Sequence, residues 1–240
     1  MCRHLAYLGP PRPLAELLTA PPHSLYEQSY TPTVNADGFG IGWYPPDDGA
    51  GPVRYRRAVP IWADANLPGL AAVISSGAVL AAVRSATPGT SHDESAAAPF
   101  ALGRWLFSHN GAVDRWDLLP ADTGEPLTAA ELLGMEAHSD SALLWIMAGR
   151  RLTAGRSPGE ALADVARRTL AARPAARLNF LLTDGNSIAA TRHGDTLWYR
   201  PAGREVTVAS SPDTDEPGWQ EVPDHSLLLA TRHTAEIAPL

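Results

Sequence analysis

One sulfur opens the chemistry of this chain: Cys2 is the single cysteine among 240 residues, and it stands directly after Met1. A small residue in second place lets Met1 be removed, after which one residue carries both a thiol and a free α-amine. A thiol becomes a nucleophile only when a base takes its proton. An α-amine with a pKa of about 7.7–8.0 can do so without borrowing a histidine. Three further places offer complementary groups: Arg84, Asn110-Gly111 and Asp140. An arginine grips a carboxylate through two parallel bonds, and an aspartate pairs an ammonium. An Asn amide followed by a glycine N–H supplies two donors to an oxyanion, one such donor being worth about 2.7–4 kcal/mol. An arginine and an aspartate converging on one nucleophile suit the head group of an α-amino acid.

Taken alone, each residue has an ordinary reading. A solitary cysteine is commonly a small buried hydrophobe. Arg84 suits a structural ion pair, Asn-Gly is a turn dipeptide, and Ser139-Asp140 can be no more than a helix cap. The elements between them decide whether the four places meet.

The apolar alternation through Leu5 to Leu8 predicts a strand holding the start of the chain, followed by a short helix at Pro13–Leu18. Alternate glycines in Gly38-Phe39-Gly40-Ile41-Gly42-Trp43-Tyr44 predict a turn entering a strand where backbone approaches closely. No helix is expected after them, so they are not a dinucleotide fingerprint. A turn is expected at Asp47-Asp48-Gly49-Ala50-Gly51, a half-exposed strand over 53–59 and a helix over 67–73. The run Val79–Val83 predicts a buried strand delivering Arg84, and Trp105–Ser108 a second one ending at His109-Asn110-Gly111. Ser139 opens a helix with apolar Leu143, Leu144, Ile146, Met147 and Leu152 at helical spacing. Ser157-Pro158-Gly159-Glu160 is a capping-box pattern for another helix ending near Ala172. Strands are expected over 178–183, 187–192, 196–200, 206–209 and 227–230, with weak helix and loop between 112 and 136. Strands, two adjacent helices and more strands without a long linker predict one α+β domain of helices packed on sheets, spanning residues 2–240 once Met1 is gone.

Composition narrows the function classes. The net charge is −7, and all 19 basic residues are arginine without any basic cluster, so no nucleic-acid partner is expected. One cysteine cannot close an internal disulfide, and no apolar run reaches 18 residues, which predicts a cytoplasmic protein with neither signal peptide nor membrane partner. The eight histidines fall in no zinc-ligand spacing, so no metal or organic cofactor is expected. The pattern specifies no oligomeric state.

Six matches in order carry a resemblance: Met1-Cys2, Asn35-Ala36-Asp37-Gly38-Phe39-Gly40, Arg84-Ser85-Ala86-Thr87, Pro99-Phe100, His109-Asn110-Gly111 and Ser139-Asp140-Ser141. With them the chain resembles the class II glutamine amidotransferases, which are N-terminal-nucleophile hydrolases. The resemblance implies a four-layer αββα sandwich and a small-molecule γ-glutamyl substrate. It also implies roles: Cys2 as nucleophile and carrier of the base, Asn110 and Gly111 as the oxyanion hole, and Arg84 and Asp140 on the glutamyl carboxylate and ammonium. Thr87 is implied as an assistant at the carboxylate. The family often carries Asn or Gln before Pro-Phe, whereas this chain has Ala96-Ala97-Ala98, which fits a leaving group other than ammonia. The branch with the longest matches implies a leaving group bearing a trimethylammonium, for which Trp43, Tyr44, Trp62 and Trp105 are candidate faces. Two rivals stand beside this reading: a glutaminase domain feeding ammonia to a separate synthase, and a non-catalytic module whose Cys2 never becomes terminal.

Overall fold

The computed structural model of the protein describes residues 2–46, 51–87 and 89–240. The turn expected at 47–51 therefore lies outside the described residues except for Gly51, as do Met1 and Pro88.

The described strands are β1 (Arg3–Pro13), β2 (Phe39–Trp43), β3 (Val53–Arg57), β4 (Ser75–Val83), β5 (Phe100–Leu102) and β6 (Trp105–Ala112). After two long helices come β7 (Arg177–Thr183), β8 (Ser187–Arg192), β9 (Trp198–Ala202), β10 (Glu205–Ala209), β11 (Gln220–Glu221), β12 (Ser226–Thr231) and β13 (Ala235–Pro239). They form two sheets, in the orders β11-β9-β10-β1-β4-β2-β3 and β13-β12-β8-β7-β6-β5. The sequence reading did not include the short strands β5 and β11 or the terminal β13.

The alternation of β1 explains how the layers stack. Side chains along a strand point to opposite faces in turn. Leu5 and Tyr7 join a core with Leu14, Leu17 and Leu67 from the short helices Leu14–Leu18 and Leu67–Val73. Ala6 and Leu8 face the other way, into a core shared with Leu80, Leu106, Leu181 and Leu228 from both sheets. On the far face of the second sheet, Phe107, Phe180 and Leu182 pack under Leu143, Leu144 and Met147 of the helix Asp140–Thr153 and Leu162 and Val165 of the helix Pro158–Ala172. The order is helices, sheet, sheet, helices, the αββα arrangement of an α+β fold. A fully buried leucine contributes about 1.5–3 kcal/mol and an exposed ion pair about 0–1, so these three cores hold the layers together.

Both long helices begin where their caps predict. Ser139 Oγ accepts the Ala142 N–H, and Ser157 and Glu160 form a reciprocal capping box with Pro158 in the first turn. One expectation is corrected. Asn110-Gly111 is not a turn: β6 continues to Ala112 and pairs Asn110 with Asn179 and Gly111 with Leu178. The glycine is required by close packing, since a Cβ there would lie 1.9 Å from the Arg177 carbonyl oxygen. The expected close approach in β2 is present too, as a Cβ on Gly40 would lie 2.2 Å from the Ala98 carbonyl oxygen. Among the described residues no helix is long and apolar enough to cross a membrane.

Candidate active site

The site grows from the way β1 meets β4. Their register pairs Arg3 with Val83 and His4 with Ala82, so the start of the chain and the residue after β4 arrive at the same edge. Those neighbours are Cys2 and Arg84. The backbone of Arg84 is fixed on both sides: its N–H donates to Gly38 O at 2.8 Å, and its carbonyl accepts the Asp37 N–H at 2.9 Å. Asp37 also accepts the Ala86 N–H at 2.7 Å, which folds the loop after Arg84 back over the site. Cys2 Sγ lies 3.7 Å from the Ser85 carbonyl oxygen.

Five of the six residues expected at the site line one cavity: Cys2, Arg84, Thr87, Gly111 and Asp140. Arg84 uses one terminal nitrogen to donate to Thr90 Oγ1 at 2.9 Å, and Thr90 in turn donates to Thr87 O at 2.7 Å. Its other terminal nitrogen is buried and has no partner among the described residues. A buried guanidinium nitrogen without a partner is costly, and an anion entering the cavity would satisfy it.

Asp140 is the first residue of its helix, and the capping is done by Ser139 instead. The carboxylate is 6% exposed and held by backbone donors, Ser141 N–H at 2.7 Å on one oxygen and Val113 N–H at 3.1 Å on the other. Each oxygen keeps a free lone pair for an ammonium. Burial raises the Cys2 thiol above its ordinary pKa, with Asp140 adding to the rise and Arg84 opposing it. The resting thiol is therefore protonated, and attack requires a base.

Asn110 is the expected residue that does not line the cavity. Its side chain is fully buried between the sheets, with Nδ2 3.5 Å from Ser210 Oγ and Oδ1 without a partner among the described residues. Ser210 Oγ also accepts the His4 N–H at 3.0 Å, while the Ser210 N–H donates to His4 O at 2.9 Å. One hydroxyl thus touches both the strand that follows Cys2 and the amide of Asn110.

Sequence reasoning missed four polar residues here: His4, Ser108, His109 and Ser210. His109 lines the cavity with both ring nitrogens committed, Nε2 donating to Arg177 O at 2.9 Å and Nδ1 accepting from Ser141 Oγ at 3.0 Å. A carbonyl only accepts, which fixes this tautomer. His4 is 1% exposed with Nδ1 3.2 Å from Ser108 Oγ. Burial pulls its pKa down to about 3, helped by the nearby His109 ring and the positive charge of Arg3. The alternation of β1 and β6 could have placed His4 with Ser108 and Asn110 on one interlayer face. Nothing local marks Ser210, two hundred residues away.

None of Trp43, Tyr44, Trp62 and Trp105 lines this cavity. Trp43 and Trp105 pack against the outer cores, and Tyr44 borders the interlayer core with its hydroxyl within hydrogen-bond distance of two backbone carbonyls. Trp62 is half-exposed, edge-on to Tyr30. The apolar part of the cavity wall is instead Ala82, Val83, Ala96, Ala98 and Phe100.

The pattern that defines the class II glutamine amidotransferases matches residues 23–205. The chain is 42% identical to the γ-glutamyl-hercynylcysteine sulfoxide hydrolase of Mycolicibacterium smegmatis, with 100% of both chains covered. It is 39% identical to the hydrolase of the same name from Mycobacterium tuberculosis H37Rv, over 100% of this chain and 97% of that one. Among solved structures, a glutamine aminotransferase class-II domain protein from Silicibacter pomeroyi superposes with a TM-score of 0.71 at 25% identity, covering 99% of each chain.

Proposed function

The chain belongs to the class II glutamine amidotransferases, and we propose that it acts on a γ-glutamyl conjugate. It is a hydrolase that cleaves the γ-glutamyl amide bond of γ-glutamyl-hercynylcysteine S-oxide, releasing glutamate and hercynylcysteine S-oxide in ergothioneine biosynthesis. The observation that carries this reading is the single cavity holding Cys2, Asp140 and an Arg84 with a buried, unpartnered nitrogen. Its charges complement those of a glutamyl head group. The full-length similarity to hydrolases of that name supports the choice of leaving group. The small side chains of Ala96 and Ala98 support it as well, since they leave room beside the scissile bond.

The reaction follows from the groups. With Met1 removed, the Cys2 amine takes the thiol proton and sulfur bonds to the carbon of the γ-carbonyl. The carbonyl electrons move to oxygen, which rests on the Gly111 N–H and, as the family resemblance implies, on the Asn110 amide, which must reach it from behind the cavity wall. The ammonium passes its proton to the departing nitrogen as the C–N bond breaks, leaving a γ-glutamyl thioester. The same amine then takes a proton from water, the hydroxide adds, and the C–S bond breaks to release glutamate. Arg84, assisted by Thr87, and Asp140 hold the α-carboxylate and α-ammonium throughout, which fixes the γ-carbonyl against the sulfur. Residues 2–240 act as one domain in a cytoplasmic setting, where a reducing environment keeps the Cys2 thiol free.

The test is product analysis with the conjugate and with free glutamine side by side, alongside the intact mass of the active protein. The expected result is faster release of glutamate from the conjugate by a chain lacking Met1. Preferential hydrolysis of glutamine would move the protein to the glutaminase reading, and full activity with Met1 retained would remove the terminal-nucleophile mechanism.

A further inference from the structure

Away from the Cys2 cavity, two loops bring His193 together with the adjacent pair Asp224-His225 from a distant part of the chain. His193 follows β8, and Asp224 and His225 precede β12. The two imidazoles face each other with their Nδ1 atoms 3.0 Å apart, and the candidate ligand atoms of all three residues lie within 4.8 Å of one another. Two nitrogens that each stand about 2.0–2.1 Å from one ion are about 2.9–3.4 Å apart at tetrahedral or right-angle geometry. The observed nitrogen pair has that separation.

The three residues are also held from behind. One oxygen of Asp224 accepts the Gly194 N–H at 3.1 Å and the His225 N–H at 3.0 Å, which leaves the other oxygen, 3.7 Å from His225 Nε2, to turn toward a ligand. The His193 N–H donates to Asn179 Oδ1 at 3.0 Å, and its carbonyl accepts the Leu178 N–H at 2.9 Å. The His225 carbonyl accepts the Leu240 N–H at 2.8 Å. His225 has φ 56°, a left-handed conformation uncommon outside glycine, and tertiary contacts have to impose it. His225 and Asp224 are 67% and 47% exposed in their side chains, so water can fill the remaining coordination positions.

We propose that His193, Asp224 and His225 form a transition-metal site that joins the turn after β8 to the loop before β12. Two imidazoles and one carboxylate suit Zn²⁺ and its neighbours Co²⁺, Ni²⁺ and Cu²⁺; Mg²⁺ and Ca²⁺ prefer all-oxygen sets. The ion serves as a structural clip. None of its ligands lines the cavity of Cys2, so amide hydrolysis does not pass through it.

The experiment uses chelator-treated, full-length protein carrying Cys2→Ala, because a terminal thiol binds zinc by itself. Calorimetric titration with Zn²⁺ and the visible spectrum with Co²⁺ are expected to report one saturable site per chain and no response to Mg²⁺. His193→Ala and His225→Asn should each weaken zinc binding more than roughly tenfold. Asparagine is chosen at 225 because it tolerates the left-handed backbone. Zinc should raise the melting temperature of the parent and not that of either variant, and melting curves without zinc show that both variants are folded. Absence of zinc uptake, or uptake that both histidine variants leave unchanged, would overturn the proposal and leave the pair as an ordinary imidazole–imidazole hydrogen bond.

Discussion

The space between the two sheets has two unlike regions built by the same strands. In its middle, Ala6 and Leu8 of β1 meet Leu80, Leu106 and Leu181, and every contact is apolar. At the end nearest Cys2, the next inward-facing residues are His4, Ser108 and Asn110, buried just as deeply and polar. The first region stabilises by area removed from water. The second holds polar atoms away from water, two of which, His4 Nε2 and Asn110 Oδ1, have no partner among the described residues. Each such atom costs about 1–3 kcal/mol. The fold therefore gives up stability at one end of a core that the other end supplies, and the place where it does so is beside the sulfur.

That contrast can be broken at several points. The largest effect belongs to the sulfur: Cys2→Ala should lower turnover of the γ-glutamyl conjugate by about 10⁴-fold or more while still binding glutamate, and Cys2→Ser should keep a trace of activity. Substantial turnover by the alanine variant would sink the mechanism. In the apolar region, Leu106→Ala should cost about 2–5 kcal/mol in denaturant unfolding and leave kcat per folded molecule nearly unchanged. A large loss of kcat there would mean that the two regions are not separable. At the polar end the pattern should invert. Asn110→Ala should lower kcat about 10²–10³-fold with little change in unfolding midpoint, read from steady-state kinetics beside melting curves.

The smallest effect concerns pH. The folded pKa of His4 lies near 3, below its unfolded value of about 6.5, so the unfolded chain binds the extra proton more readily. The contribution is fully present above pH 6.5 and is lost as pH falls from there toward 3, amounting to about 2 kcal/mol of lost stability at pH 5. His4→Gln should flatten the stability curve between pH 7 and 5 relative to the parent, whose titratable and charged neighbours here are the His109 ring and Arg3. Equal slopes for the two proteins would show that the buried ring is not what titrates.

How much of this was legible beforehand differs between the same two regions. The apolar layers follow from period-two alternation in Leu5 to Leu8, and the two long helices from Ser139, Ser157 and Glu160, because those signals are local. Asn110-Gly111 was ambiguous since the dipeptide favours turns, and the demand for glycine comes from the Arg177 carbonyl on a neighbouring strand. Strand β13, exposed over most of its length, carries no alternation to read. Ser210, and the pairing of His193 with His225, depend on contacts between distant residues. The four aromatic candidates stand away from the Cys2 cavity for a related reason: composition counts tryptophans but does not say where the fold turns them.

The position of β1 inside its sheet has a consequence for biosynthesis. Its two neighbours are β4, ending at Val83, and β10, ending at Ala209, so the first strand made cannot be flanked on both sides until most of the chain has left the ribosome. At roughly 5–20 residues per second, that leaves about 10–40 s in which the leading end is accessible to the aminopeptidase. On the terminal-nucleophile mechanism proposed above, exposure of the Cys2 amine therefore belongs to the nascent chain. Protein refolded with Met1 in place should resist the same aminopeptidase, and rapid trimming of that refolded form would show that the leading end stays open.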